Sequence, residues 1–459
     1  MRKPEQALLC DIGSTYTKLS VVDLLSGRLL ARSAASTTPR DVSLGFQQAM
    51  DMLLPQLPGE PQFVLRQAAS SAAGGLKLAA VGLVRDLTGE AARLAALGAG
   101  AKVQAVFSHR LQAEDLQALR QLQPDIVLLA GGTDGGDDAI LPHNARQLAE
   151  SGLSAAIVVA GNREVGPAAV QLLQAAGLSA VLAKNVMPKL GETSVEDARQ
   201  AIRRLFLQRI VLAKGLRRLQ EQHGVVVDMP TPVAVLQALR LLAREEGELL
   251  AVDVGGATTD VYSLASGQPQ DDQLVPVGLR PPFAHRSVEA DLGLRSSAVA
   301  MAERYELEIG QLAEHMGISE DWRSWCAKLA ADPTWVPGSA AESAREQVLA
   351  TLAVREAVDR HAGRLQPFVT PFGRSFLLRG KDLRPVRTVI GIGGIFRHAP
   401  DATAILGGVA WDNRFPDRLK PLQPSFLIDR DYVFSAAGLV AETHPECALG
   451  LMRRSLGMD

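Results

Sequence analysis

The stretch Leu249-Leu-Ala-Val-Asp253-Val-Gly-Gly-Ala-Thr-Thr-Asp260-Val-Tyr-Ser263 decides how this chain is read. An apolar run from Leu249 to Val252 ends in an acid, a turn of Gly, Ala and Thr follows, and a β-like pattern resumes at Val261. The same order occurs near the start. Ala7 to Cys10 leads into Asp11-Ile-Gly-Ser-Thr-Tyr-Thr-Lys18, and Leu19 to Val22 continues. Strand, small-residue turn, strand is thus written twice. A turn without bulky Cβ groups lets several backbone N–H groups converge on one anion, and Ser and Thr hydroxyls add donors. An acid at the mouth of such a turn suits Mg²⁺, which prefers oxygen ligands and keeps part of its water. One such turn reads as an ordinary turn. Two, facing each other, make a clamp for a triphosphate. The candidate phosphate cradle is therefore Gly13, Ser14 and Thr15 with Gly255, Gly256, Thr258 and Thr259. Asp11 and Asp253 are the candidate Mg²⁺ ligands and organisers of the attacking water. Lys18 reads either as a point charge for phosphate oxygens or as a solvated strand lysine. Asp260 reads as a base near the site or as a strand-end acid.

A third string, Val389-Ile-Gly-Ile-Gly-Gly-Ile-Phe-Arg397, follows a strand and precedes a short helix expected at 396–400. Gly393 and Gly394 let backbone approach a nucleoside closely, and a helix N-terminus favours an anion. Arg397 either stacks its guanidinium on a purine or is a surface arginine.

Composition narrows the field. The 459 residues carry Lys+Arg 48 against Asp+Glu 50, a net charge of −2 without a long like-charge run, which argues against a general nucleic-acid binder. Three scattered cysteines (Cys10, Cys326, Cys447) fit a reduced cytoplasm rather than a disulfide framework. No apolar run is long enough to span a bilayer, so no membrane role is expected. The Met1-Arg-Lys-Pro start does not read as a signal peptide. Walker-type, Gly-x-Ser-x-Gly and His-Glu-x-x-His strings are absent, which leaves P-loop, serine-hydrolase and zincin readings unsupported.

Along the chain, 7–35 reads as a β-meander turning at Ser26-Gly27. Strand-like runs at 62–66, 78–83, 103–107, 125–129, 155–159 and 180–183 then alternate with helical runs at 89–97, 113–122, 140–151 and 165–176. That alternation predicts parallel βα units in an inserted doubly wound α/β domain. Within it Ala130-Gly-Gly-Thr-Asp-Gly-Gly-Asp137 reads as a tight turn or as an anion or partner site. A helix is expected from Thr193 or Ser194 to about Gln222, and another from Pro232, capped by Thr231, to Gly247. Residues 286–365 look mainly helical, Arg286 to Arg295 reading as a helix start, either with Glu289 or Asp291 facing the active cleft or as a capped surface helix. The expected division is 1–58 for the first part of an N-terminal lobe, 59–188 for the inserted domain, and 189–247 for the helical remainder of that lobe. A C-terminal lobe takes 248–459, with a helical insertion at about 286–385.

The order of the three motifs resembles the actin/Hsp70/sugar-kinase superfamily. That resemblance implies two α/β lobes closing on ATP, with the two acid hairpins as phosphate motifs and the Gly-rich turn as the adenosine motif. The Pro230-Thr-Pro-Val-Ala helix resembles the connecting helix of Hsp70 proteins, with a second connecting helix at Ser435-Ala-Ala-Gly-Leu439. Met229 stands where the Hsp70 pattern has an acid, which makes Asp228 the candidate water-positioning acid, and Ala257 replaces the third Gly of the second turn. Longer strings sharpen the match. Ala68-Ala-Ser-Ser-Ala-Ala-Gly-Gly-Leu-Lys77, Leu97-Gly-Ala-Gly-Ala101, Ala130 to Gly136, Val252 to Asp260 and Ser287-Val-Glu-Ala-Asp-Leu-Gly293 look like the glutamate mutase accessory family called MutL or GlmL, unrelated to the mismatch-repair protein of that name. The resemblance implies a weak Mg²⁺-dependent ATPase in the cytoplasm that reactivates an adenosylcobalamin-dependent mutase of the glutamate mutase type. Two readings stay open beside it: a small-molecule kinase on the same fold, and a nucleotide sensor that does not hydrolyse.

Overall fold

The computed structural model describes residues 5–38, 41–71, 76–84, 88–211, 215–271, 273–370 and 373–458. They fall into two compact units. One comprises Met1–Ala72, Lys214–Val277 and Pro282–Asp459; the other comprises Ala73–Ala213 and Gly278–Pro281.

The first unit contains one topology twice. In its first sheet β1 (Gln6–Ile12), β2 (Tyr16–Asp23) and β3 (Arg28–Ser36) form an antiparallel meander. Beyond β1, β4 (Phe63–Ser70) and β10 (Val226–Met229) add in parallel, giving the order β10-β4-β1-β2-β3. In the second sheet β11 (Leu249–Val254), β12 (Thr259–Leu264) and β14 (Ala284–Glu289) form the meander. Beyond β11, β17 (Thr388–Ile392) and β18 (Ser425–Ile428) add in parallel, giving β14-β12-β11-β17-β18. Strand for strand the two orders are the same, and this is the two-lobed actin/Hsp70-like α/β fold. β1 and β11 sit in mid-sheet with neighbours on both sides, which is why both are written as nearly continuous apolar runs. A small third sheet pairs β13 (Leu274–Pro276), β16 (Gly373–Arg379) and β15 (Arg364–Thr370) in that order.

Helices Thr231–Glu246 and Phe434–Val440 follow the last strand of each sheet. They share one apolar core with Ala7, Leu9 and Val22 of the first sheet and Leu249, Ala251 and Ile390 of the second. The two helices cross at Gly438, where any Cβ would fall on the Ala234 carbonyl. Only glycine allows that approach, and the expected second connecting helix is this one.

The second unit is a doubly wound parallel sheet. β5 (Leu76–Gly82), β6 (Ala101–Ser108), β7 (Ile126–Leu129), β8 (Ala156–Val159) and β9 (Ala180–Leu182) run in the order β6-β5-β7-β8-β9. The Gly-rich turn after β7 is held by buried amides. Asn185 Nδ2 donates to the Gly132 carbonyl at 3.0 Å, and Asn162 Nδ2 donates to the Asp137 carbonyl at 3.0 Å. Those bonds favour the tight-turn reading of Ala130 to Asp137.

Several expectations need correction. The strand expected at 62–66 as part of the inserted domain is β4, which pairs with β1 in the first sheet, so the second unit begins at Ala73 rather than 59. The helix expected from 193 to 222 is two helices, Glu196–Val211 in the second unit and Leu216–His223 in the first. Residues 72–75 of the Ala68 to Lys77 string lie outside the described residues. Residues 286–289 are not a helix start but part of β14, because His285, Arg286 and Ser287 are buried polar residues rather than a solvated helix face. β15 and β16 fall in this insertion, and among its described residues helix is confined to four segments between Ala298 and His361.

Candidate nucleotide and metal site

The two acid hairpins are built alike. Gly13 N–H donates to the Tyr16 carbonyl at 3.0 Å, and Gly255 N–H donates to the Thr258 carbonyl at 2.9 Å, so the same bond closes each turn. A Cβ on Gly13 would meet the Tyr16 carbonyl at 2.7 Å, and one on Gly255 would meet the Thr258 carbonyl at 3.1 Å. Across β1 and β2, Asp11 faces Lys18; across β11 and β12, Asp253 faces Asp260. The turns approach each other, a Cβ built at Gly256 lying 3.2 Å from Thr15 Oγ1. The structure therefore brings the first and second motifs to one place.

Electrostatics separate them. Buried Asp11 accepts from Lys18 Nζ at 3.3 Å and from Thr231 Oγ1 at 2.7 Å. Asp260 accepts from Arg286 Nε at 2.7 Å and from Thr258 Oγ1 at 3.0 Å. The Asp253 carboxylate accepts no hydrogen bond from any described residue. Burial pushes its carboxyl up to about 7, with Asp260 the next largest cause; Lys18 opposes the shift, and Asp11 and Asp429 add to it.

The second turn is braced from outside by the end of the Arg286 to Arg295 string. Leu294 N–H donates to the Gly255 carbonyl at 3.1 Å, and Arg295 N–H donates to the Gly256 carbonyl at 2.8 Å. The Arg295 guanidinium is held by the Trp335 carbonyl at 3.1 Å and by Glu346. The first turn touches the same segment, Tyr16 donating its hydroxyl to the Thr334 carbonyl at 2.6 Å. Glu289 and Asp291 are taken up by Arg360 at 2.6 and 2.7 Å rather than standing open to a cleft.

Thr259 departs from its expected role. Its side chain is fully buried and donates to the Leu292 carbonyl at 2.7 Å, so its hydroxyl is already committed within the core. Alternation along a strand explains this, since neighbours point to opposite faces. Thr258 lies on the open side and Ser14 is exposed. Gly393 has φ +123°, and its Cβ would fall on the Val254 carbonyl, so the third motif packs directly against the strand end that carries Asp253. Beside Gly394 a Cβ would meet nothing. Arg397 is exposed; partial desolvation and the Arg32 guanidinium hold it below its ordinary value, with Asp431 opposing. Asp228 is half-buried in β10.

Sequence reading missed three residues. Thr231 is a direct partner of Asp11 rather than a helix cap; Pro230 is the cap residue. Asp429, nearly fully buried, accepts from Val433 N–H at 3.0 Å and from Ser455 Oγ at 2.5 Å, and burial pushes its carboxyl up to about 6. The Tyr432 ring centroid lies 3.8 Å from Lys18 Nζ. The one available signal was position: Asp429 to Tyr432 opens the helix equivalent to Thr231–Glu246.

Among the described residues no group of three or more His, Cys, Asp or Glu side chains is arranged around a metal. Mg²⁺ that keeps its waters and takes phosphate oxygens needs only one or two carboxylates. A carboxylate without a hydrogen-bond donor, Asp253, fits that ion.

A family model described as MutL protein matches residues 7–456. The chain is also 42% identical over 458 residues to Protein MutL of Clostridium tetanomorphum, covering 98% of both chains. The chain belongs to the MutL protein family. For this MutL-family chain the likeness to solved structures is remote. Nucleotide-free acetone carboxylase is 12% identical with a TM-score of 0.41, covering 96% of this chain and 70% of that one. The activator of 2-hydroxyisocaproyl-CoA dehydratase from Clostridium difficile is 9% identical with a TM-score of 0.32, covering 96% of this chain and 95% of that one. Likeness at that level assigns no activity to the family member described above. Among its described residues no helix is long and apolar enough to cross a membrane.

Proposed function

We propose that this MutL-family chain binds ATP with Mg²⁺ between its two acid hairpins, hydrolyses it slowly, and uses the cycle to reactivate an adenosylcobalamin-dependent mutase of the glutamate mutase type. The observation that carries the nucleotide part is the pairing of two equivalent turns, Gly13 to Tyr16 and Gly255 to Thr258, with a donorless acid, Asp253, opposite Asp260. Backbone N–H groups of Gly13, Ser14, Thr15, Gly255 and Gly256, with the Thr258 hydroxyl, hold phosphate oxygens. Lys18 supplies a point charge. Gly393, Gly394 and Arg397 take the adenosine. Asp253 and, more weakly, Asp11 hold Mg²⁺, which when bound neutralises phosphate charge. In such chemistry the protein positions groups and stabilises charge rather than forming bonds of its own.

The mutase part rests on the family. Radical enzymes retain damaged cofactor tightly, and a partner whose two lobes change arrangement with nucleotide state is a two-state element able to release it. The test is phosphate release from Mg-ATP, with and without a cobalamin-inactivated glutamate mutase, beside an Asp253→Ala control. Turnover that rises with the mutase and vanishes in the control is the expected result. No turnover in any arm overturns the hydrolytic reading; turnover indifferent to the mutase overturns the partner.

A further inference from the structure

Lys18 is held from two sides. Asp11 Oδ2 lies 3.3 Å from its ammonium, and the face of Tyr432 lies 3.8 Å from it. The ring comes from the turn between β18 and the Phe434–Val440 helix, in the opposite lobe. The two holds differ in kind. Asp11 consumes an N–H donor of the ammonium. An aromatic face attracts a cation through its quadrupole and leaves the other donors aimed outward. Lysine has three N–H donors and no acceptor, so a lysine fixed this way still presents hydrogens to an incoming oxyanion.

Placing the ring there costs backbone energy. Tyr432 has φ +54°, a left-handed conformation rare for an aromatic residue. Its neighbours enforce it. Tyr432 N–H donates to the Asp429 carbonyl at 3.3 Å, and the Asp429 carboxylate accepts from Val433 N–H. Arg32 of β3 donates to the Asp431 carbonyl at 3.1 Å and to its carboxylate at 3.0 Å. The Tyr432 hydroxyl makes no hydrogen bond with any described residue, so what the turn delivers to Lys18 is the ring face. Strain maintained by a buried acid and a cross-lobe arginine, with a ring over a cation as its product, is the pattern expected of a positioning device.

We propose that Tyr432 is a positioning residue for the Lys18 ammonium and thereby sets the chain's preference for a nucleoside triphosphate over a diphosphate; this deepens the nucleotide reading above and rests on it. Lys18 is paired with Asp11, and the two turns approach each other at Thr15 and Gly256, so on the nucleotide reading the ammonium stands beside the acids that would hold Mg²⁺ and the terminal phosphate. On that reading a diphosphate would lack the group that meets Lys18 and would be indifferent to how Lys18 is held.

The experiment is calorimetric titration of the full-length chain with Mg-ATP and with Mg-ADP. The variants are Y432N, Y432F, K18M and K18M/Y432N. Asparagine tolerates the left-handed backbone, so Y432N removes the ring and keeps the turn. Its thermal unfolding midpoint checks this, and Y432G, equally free at positive φ, is the second ring-deleting variant. A ring–cation contact of about 1 kcal/mol corresponds to roughly fivefold. Y432N should therefore weaken ATP by roughly fivefold and ADP by less than twofold, Y432F should recover most of that loss, and Y432N should add nothing in the K18M background. An unchanged ATP-to-ADP ratio in Y432N and Y432G, or a further loss on top of K18M, overturns the role of Tyr432 while leaving the cleft a nucleotide site. A parent chain that binds neither nucleotide overturns the nucleotide reading and this proposal together.

Discussion

The β1–β2 and β11–β12 hairpins share a strand register, a closing bond and a place in their sheets, yet Lys18 in one stands where Asp260 stands in the other. In the first hairpin the acid is neutralised by its cross-strand lysine and by Thr231. In the second the cross-strand residue is another acid, already committed to Arg286, and Asp253 is left without a donor. The geometry is shared, and one charge difference separates the two: the acid of the first hairpin is paired with its own cross-strand lysine, while that of the second faces another acid.

The largest test of that contrast is Asp253→Asn against Asp11→Asn. D253N should lower Mg²⁺-dependent phosphate release by about 10²-fold or more, the scale of losing a key electrostatic group, whereas D11N, whose carboxylate is shared with Lys18 and Thr231, should cost less. Equal losses in a phosphate-release assay would break the asymmetry. Next is pH. Because Asp253 titrates at about 7, Mg²⁺ affinity should fall close to tenfold per unit below pH 7 and level off above it, as magnesium titrations at fixed nucleotide would show. Without Mg²⁺ the same group acts on stability in the opposite sense. Its folded value of about 7 stands above its ordinary 3.8, so the folded chain holds a proton that the unfolded chain releases. Stability should then drop as pH rises from about 4 to about 7, with Asp429 at about 6 adding in the same direction. Urea midpoints across that window, flatter in D253N, sharpen the point.

Thr231→Val makes the first hairpin more like the second by removing one donor from Asp11. The expected cost is about 1–2 kcal/mol in urea unfolding, and a neutral result would mean that Thr231 contributes nothing to the balance. Smallest is Arg397→Ala. If its guanidinium stacks on adenine, nucleotide binding weakens by about 0.5–1 kcal/mol, equally for ATP and ADP, in the same calorimetric titrations.

Much of this was legible in the sequence because turns and central strands write themselves plainly. The two acid hairpins, the Gly393-Gly394 turn, the alternating second unit and the Thr231–Glu246 helix could all be read. Failures occurred where polarity misled. His285, Arg286 and Ser287 look like a solvated helix face, but they are buried in β14 because Asp260 and His361 satisfy two of them. Thr258 and Thr259 looked interchangeable, although strand alternation sends only one toward the opening. β4 was grouped with the second unit because a parallel partner more than fifty residues away leaves no local trace. Tyr432 was invisible, since its worth depends on a lysine over four hundred residues earlier in the chain.

The crossing at Gly438 has a mechanical corollary. Because the Ala234 carbonyl leaves no room for even a methyl group there, the two helices touch backbone to backbone. Side chains can slide past one another by changing rotamer, but main chain cannot. A rearrangement of one half against the other that keeps this contact would swivel about this point as about a fulcrum. Displacements in such a swivel would grow with distance from the pivot. Alanine at 438 would wedge the fulcrum open, and the halves would lose their common axis before either lost its fold.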